Sequence, residues 1–186
     1  PQLVPTPEGG HTLQPVPWAN VLWHYKRPNN HIGYTALARL VHDAFFQPGS
    51  GPTDPIFSET LVRLPAFAFG LLSVVAVAWM ARVWGWTRGL WLVLPFYVLH
   101  PWLIRFGSEV RGYGVVLATV PLLVGLAGRA LQRGAWRWWL LLAVVQTWLF
   151  WAYWGVVYVL VCLHAALVVL GVTDAGRTRA ERLTLL

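Results

Sequence analysis

The sequence predicts an all-helical integral membrane protein with about five transmembrane helices and an extracytoplasmic N-terminal segment. Hydrophobic residues make up 57% of the 186-residue chain and charged residues only 11%, whereas an ordinary soluble domain has about 25% charged residues. Four long stretches contain no Asp, Glu, Lys or Arg: 65–81, 89–104, 112–128 and 138–173. A soluble helical protein would need polar helix faces, which these stretches lack.

The number of spans follows from the thickness of the bilayer. A hydrocarbon core about 30 Å thick requires roughly 20 apolar residues in a helix. The last charge-free stretch is too long for one crossing and suits two short ones joined by a turn. The predicted transmembrane region, 61–173, therefore contains spans at about 61–84, 88–104, 112–131, 137–152 and 154–171.

The N-terminal segment, 1–60, differs in composition from the spans. Residues 1–30 are rich in Pro and Gly and have no sustained periodicity, which predicts irregular structure. Over 31–46, apolar residues such as Ile32 and Leu37 share one side of a helix, which predicts an amphipathic helix along the membrane surface. Ser58 is expected to cap the helix that enters the first span.

Basic residues near the span ends predict the orientation. Eight arginines collect on one side of the predicted spans and six basic residues on the other. Since Lys and Arg are enriched in cytoplasmic loops, we expect 174–186 to form a cytoplasmic tail and 1–60 to be extracytoplasmic. Tryptophans fall at both boundaries, as in the aromatic belts of membrane proteins. The net charge of +7 is then a topology signal, and nucleic acid is not an expected partner.

The most polar stretch between two spans runs from Arg105 to Tyr113. Charges at such a depth are costly unless they are paired or face water or a polar ligand. Arg105 and Arg111 offer forked donors that suit a phosphate, and Glu109 can orient one of them. The alternative is a helix start capped by Ser108, with both arginines reaching lipid headgroups.

Two further polar positions are candidates. Lys26 and Arg27, just before His31, suit anionic headgroups or a lipid-linked phosphate; alternatively, Asn30 caps the surface helix and the basic pair contacts lipid. His164, inside the last span, could bind haem or chlorophyll, although packing or an interhelical hydrogen bond is the favoured interpretation in the absence of a partner histidine. No spacing resembles a zinc site, so we predict no metal and no cofactor.

The order of these motifs resembles the polytopic GT-C glycosyltransferases, in the branch of the protein O-mannosyltransferases and the lipid A aminoarabinose transferase. The resemblance covers about residues 18–170. It rests on Pro28-Asn29-Asn30-His31, then Val62-Arg63-Leu64-Pro65-Ala66, then His100-Pro101 and Ser108-Glu109-Val110-Arg111-Gly112-Tyr113.

The resemblance implies transfer of a sugar from a polyprenyl-phosphate donor on the outer side of a bacterial inner membrane. It places His31, Arg105, Glu109, Arg111 and Tyr113 around the lipid phosphate. The reaction would be an inverting displacement in which an acidic residue deprotonates the acceptor.

The acidic residue is where the sequence departs from the family. Relatives carry an Asp-Glu pair just after a first transmembrane helix, but here Pro7 stands in place of the Asp and Glu8 is the one remaining candidate. By the same comparison of motifs, we expect no counterpart of the preceding helix or of the later helices of many relatives. We therefore expect a noncatalytic, glycosyltransferase-like subunit of a larger membrane complex, in contact with lipids and other membrane proteins. The alternatives are an active polyprenyl-phosphate-sugar-dependent transferase, or a fragment of one, and a pigment- or haem-associated subunit.

Overall fold

Helices account for nearly all of the chain that the computed structural model describes, namely residues 2–5, 7, 11–14, 17–23, 31–46 and 58–174. The elements in chain order are β1 (Gln2–Pro5), β2 (His11–Gln14), α1 (Trp18–Trp23), α2 (Ile32–Phe45), α3 (Glu59–Val83), α4 (Thr87–Val98), α5 (Pro101–Ser108), α6 (Tyr113–Arg133), α7 (Trp136–Ala152), a short 3-10 turn (Trp154–Val156) and α8 (Val157–Asp174). The predominantly helical fold agrees with the sequence prediction. The strands β1 and β2 do not, because they pair as an antiparallel hairpin inside a segment predicted to be irregular.

Several helices are long and apolar enough to cross a membrane. In the described part of the chain these are α3, α6 and the helical segment Trp154–Gly171, and α4 with α5 would make a fourth if the bent pair is one span. Helix α7 has 17 residues, which gives a length of about 26 Å. The structure thus has three or four candidate spans, and a fifth remains a prediction.

The predicted span 88–104 is broken in two. Helices α4 and α5 meet at an angle of 59°, because Pro101 lacks an N–H and disfavours helical geometry in the residue before it. His100 accordingly has an extended backbone and caps α5, its Nδ1 accepting a hydrogen bond from the Trp102 N–H at 3.2 Å.

Helices α3 and α6 run parallel and form the centre of the core. Near their N-terminal ends Gly114 packs against Ala66, and near their C-terminal ends Gln132 Nε2 donates a hydrogen bond to the Val83 carbonyl at 2.7 Å. Helix α7 returns antiparallel to α6 after a turn at Gly134, whose positive φ of 62° suits glycine. Apolar side chains from these three helices make up most of the main buried cluster: Val62, Ala66, Val115, Leu123, Leu126, Ala127, Leu142, Leu149 and Ala152.

This arrangement gives the helical array two ends. The His31 end comprises α2, the beginning of α3, the α5–α6 loop and the end of α7. The arginine end comprises the turn between α3 and α4 and the turn between α6 and α7.

Helix α2, predicted as a surface helix over 31–46, is anchored to the His31 end by Tyr34. This side chain is 2% exposed and its hydroxyl donates a hydrogen bond to the Val62 carbonyl at 2.6 Å. The bond lies in a turn of α3 that is weakened by Pro65, which cannot donate. Burial raises the pKa of Tyr34 to about 12, although the Arg63 charge and the Ala66 N–H act in the opposite direction, so the hydroxyl remains a donor at neutral pH.

Candidate functional site

His31 is the central residue of the candidate site. It precedes the first turn of α2 and is only 7% exposed. Its ring stacks on Tyr153 at a centroid distance of 4.8 Å and meets Tyr113 edge-on at 5.1 Å. Three separate parts of the chain, the start of α2, the start of α6 and the end of α7, therefore converge on one imidazole.

Two glycines allow this convergence. A Cβ added to Gly33 would lie 2.7 Å from the Cβ of Ala152, so glycine lets α2 approach the end of α7. A Cβ added to Gly112 would lie 2.9 Å from His31 Nδ1. Any larger residue at either position would displace the imidazole or its neighbours.

Both ring nitrogens of His31 are buried and have no hydrogen-bond partner among the described residues. Leaving a buried polar group unpaired costs about 1–3 kcal/mol, so such groups normally face a ligand or water. Burial, and then the charge of Arg111, lower the pKa of His31 from its usual 6.5. The imidazole is therefore neutral at pH 7, with one nitrogen as donor and the other as acceptor.

The last turn of α5 and the loop that follows it contain two of the arginines of this end, Arg105 and Arg111. Arg105 Nε donates to Glu109 Oε1 at 2.8 Å, and the guanidinium carbon lies 5.9 Å from the rings of both Trp102 and Phe106. Phe106 in turn contacts Tyr113 at 4.7 Å. A continuous series of aromatic rings thus connects Arg105 to the His31 ring.

The structure brings some of the predicted site residues together and leaves others outside. His31, Arg111 and Tyr113 are neighbours, and the Arg105–Glu109 ion pair is joined to them through aromatic contacts. Glu8 lies outside the described residues, as do Lys26 and Arg27.

Two features of the site differ from what was inferred from the sequence. Tyr153 was missed as a site residue, although it lies in the conspicuous aromatic turn 150–155. Ser108 does not cap the next helix: it ends α5, where its hydroxyl donates to the carbonyls of Ile104 and Arg105, and Gly112 is the N-cap of α6.

The described carboxylates of the His31 end are paired with arginines. Each carboxylate whose side chain the structure describes has an arginine partner four residues away in the chain: Asp43 with Arg39, Glu59 with Arg63, and Glu109 with Arg105. The described residues therefore provide no unpaired carboxylate beside His31.

His164, the candidate haem or chlorophyll ligand, is exposed on α8. Its Nδ1 lies 2.8 Å from the Leu160 carbonyl of the same helix, which already accounts for one ring nitrogen. Across residues 31–46 and 58–174 there is no group of three or more His, Cys, Asp or Glu side chains that could hold a metal ion.

Comparison with known proteins identified no similar protein. No protein-family model, no curated protein and no solved structure matches the chain. The resemblance to the GT-C glycosyltransferases consequently rests on the quoted sequence motifs alone.

Proposed function

We propose that this chain is a glycosyltransferase-like membrane protein that binds the phosphate of a polyprenyl-phosphate ligand at the His31 end without transferring the sugar itself. In this proposal it acts as an accessory subunit of a larger assembly in a bacterial inner membrane. The observation that carries the proposal is that His31 is buried, has two ring nitrogens without a partner among the described residues, and lies near the exposed Arg111.

A phosphate is the ligand chemistry that this arrangement favours. The neutral imidazole of His31 offers one N–H, and a nearby anion would favour the imidazolium, which offers two. Arg111 can add a charge-assisted hydrogen bond, which is about twice as strong as a neutral one. Arg105, 66% exposed and paired with Glu109 through Nε, has terminal N–H groups that can donate to a further oxygen of the ligand.

A lipid chain on the ligand would find apolar surface at the same end. Trp102 is 56% exposed and Leu64, in the second turn of α3, is 47% exposed. Contact with these side chains would bury apolar area at roughly 25 cal/mol per Å². In the proposed topology of five spans, the His31 end faces the outside and the arginine end faces the cytoplasm.

The noncatalytic part of the proposal is supported by the ion pairs of the His31 end. General-base catalysis needs a group that accepts a proton within hydrogen-bond reach of the acceptor, and Asp43, Glu59 and Glu109 each have an arginine partner. The active-transferase alternative requires Glu8, or an acidic residue upstream of it, to supply this function.

The binding test uses the full chain in a neutral detergent and a short polyprenyl phosphate. We expect His31→Phe, which keeps an aromatic ring but no nitrogen, and Arg111→Gln each to weaken binding about tenfold or more, since a hydrogen bond to a charged group contributes about 1.5–3 kcal/mol. Arg63→Gln is the matched control and should bind as the wild type does. The proposal fails if the uncharged polyprenol binds equally well, or if Arg63→Gln weakens binding as much as Arg111→Gln.

A transfer assay separates the accessory role from the enzyme. With polyprenyl-phosphate sugars and a mixture of lipid and peptide acceptors, we expect the same background release of sugar from the wild type and from Glu8→Gln. Release by the wild type that disappears in Glu8→Gln would replace the accessory role with an active transferase, and would leave the phosphate site intact.

A further inference from the structure

The arginine end carries a concentration of positive charge that the His31 site does not use. Five arginines lie on its two turns and the adjoining helix ends: Arg82, Arg88, Arg129, Arg133 and Arg137. The described carboxylate side chains, Asp43, Glu59 and Glu109, all belong to the other end of the molecule, where they are paired. The part of the chain that the structure describes is therefore strongly polarised, with its net positive charge at the arginine end.

The two turns of this end are fixed side by side. Gln132 Nε2 donates to the Val83 carbonyl at 2.7 Å, and Trp84 Nε1 donates to the Val124 carbonyl at 3.1 Å. Arg129 is held by Gln132 at 3.4 Å, whereas the other four arginines are exposed. Two exposed pairs, Arg82 with Arg88 and Arg133 with Arg137, consequently lie on neighbouring turns at the same end of the helical array.

Helix polarity explains only half of these positions. Arg82 and Arg133 lie in the last turns of α3 and α6, where a cation is favourable. Arg88 and Arg137 lie in the first turns of α4 and α7, where a cation is unfavourable. Neither of these helices has a side-chain cap or an acidic residue in its first turn. An external anion at this surface would therefore be stabilised by the arginines and by the helix ends together.

Tryptophans mark this surface as lying at the level of lipid headgroups. The guanidinium carbons of Arg133 and Arg137 both lie 5.9 Å from the ring of Trp138, and Trp86 and Trp136 are 59% and 75% exposed. Exposed indoles are enriched at the boundary between hydrocarbon and headgroups. We propose that the arginine end is a binding surface for acidic phospholipid headgroups, with the Arg82–Arg88 and Arg133–Arg137 pairs as its contacts.

The test measures lipid selectivity in bilayers. The full chain is reconstituted in phosphatidylcholine with a trace of spin-labelled phosphatidylglycerol or spin-labelled phosphatidylcholine, and the motionally restricted fraction of each label is measured. We expect the wild type to prefer the acidic label, and the preference to weaken at high ionic strength. Since a basic residue near an anionic membrane surface contributes about 1 kcal/mol, each arginine accounts for roughly a fivefold change in association at its own site.

Matched variants decide whether the effect belongs to this surface. The double variants Arg133→Gln/Arg137→Gln and Arg82→Gln/Arg88→Gln should each reduce the preference severalfold. Arg39→Gln/Arg63→Gln removes the same charge from the opposite end and should leave the preference unchanged. The proposal is overturned if the wild type shows no preference for the acidic label, which is the result expected of a surface that binds an acidic protein partner. It is also overturned if Arg39→Gln/Arg63→Gln reduces the preference as much as the two arginine-end variants do.

Discussion

Replacing Gly33 by Ala is the most direct test of how the candidate site is assembled. The added methyl group would lie 2.7 Å from the Cβ and 2.8 Å from the Cα of Ala152. Both atoms belong to or adjoin the backbone of α7, so neither can rotate away. To restore ordinary contact, which begins at 3.4 Å, α2 and α7 must separate by at least about 0.7 Å.

The free-energy change combines two terms of opposite sign. An exchange of Gly for Ala inside a helix stabilises it by about 1 kcal/mol, while overpacking a tight contact costs about 1–3 kcal/mol. We expect a net destabilisation of about 1 kcal/mol in the free energy of unfolding. The same separation would open the stack between His31 and Tyr153, now at 4.8 Å, and so weaken binding of a lipid phosphate severalfold.

Gly89→Ala provides the matched control, because nothing lies within 4 Å of the Cβ that it would add to α4. This variant should be neutral or up to about 1 kcal/mol more stable than the wild type. Unfolding by increasing fractions of denaturing detergent in mixed micelles would measure both free energies. If the two variants change stability by the same amount and in the same direction, the close packing of α2 on α7 is refuted.

Two further predictions concern the hydrogen bonding and the charge state of the His31 end. Tyr34→Phe removes the donor to the buried Val62 carbonyl and should lower the free energy of unfolding by about 1–3 kcal/mol. The control Tyr158→Phe, at a residue that is 78% exposed, should change this free energy by less than about 0.5 kcal/mol. Equal effects of the two variants would show that the Tyr34 hydrogen bond contributes nothing to stability. The pKa of His31 is lowered in the folded state, so as the pH falls the imidazole is protonated more readily in the unfolded state. The contribution of His31 to the free energy of unfolding should therefore be fully present above pH 6.5 and decline below it by at most about 1.4 kcal/mol per pH unit. His31→Phe should remove that part of the pH dependence, Arg111→Gln should reduce it, and an unchanged profile in both variants would contradict the burial of a neutral imidazole.

The helix positions were largely predictable because long apolar stretches, N-caps and glycines act locally. Ser58 caps α3, its hydroxyl accepting a hydrogen bond from the Leu61 N–H, and Gly134 ends α6 in the left-handed conformation; both are signals carried by one or two residues. His100-Pro101 is the sequence signal for the break in 88–104. The prediction of a single span relied on the length of the charge-free stretch, and it therefore missed the break. The hairpin β1–β2 has no strong alternation of apolar and polar residues, so periodicity could not indicate it.

The site was predictable only in part, because its geometry depends on contacts between distant segments. The polarity of Arg105, Glu109 and Arg111 marked the loop as unusual for a membrane protein. That Tyr153 stacks on His31, 122 positions earlier in the numbering, depends on how closely α2 packs on α7. No local pattern encodes such a distance, and an aromatic residue among many aromatic residues gives no separate signal.

The bend between α4 and α5 makes Pro101 a determinant of a site that lies beyond the end of its own helix. A straight helix through 88–104 would direct the following loop along the axis of α4 and away from the core. The 59° turn instead carries α5 across α3, where a Cβ on Gly70 would come within 3.3 Å of the Gly107 Cα. The next residues then enter α6 at Tyr113, against the His31 ring. A backbone constraint imposed by one proline thus determines the direction from which the loop before α6 approaches the His31 ring, independently of the side chains that the loop carries.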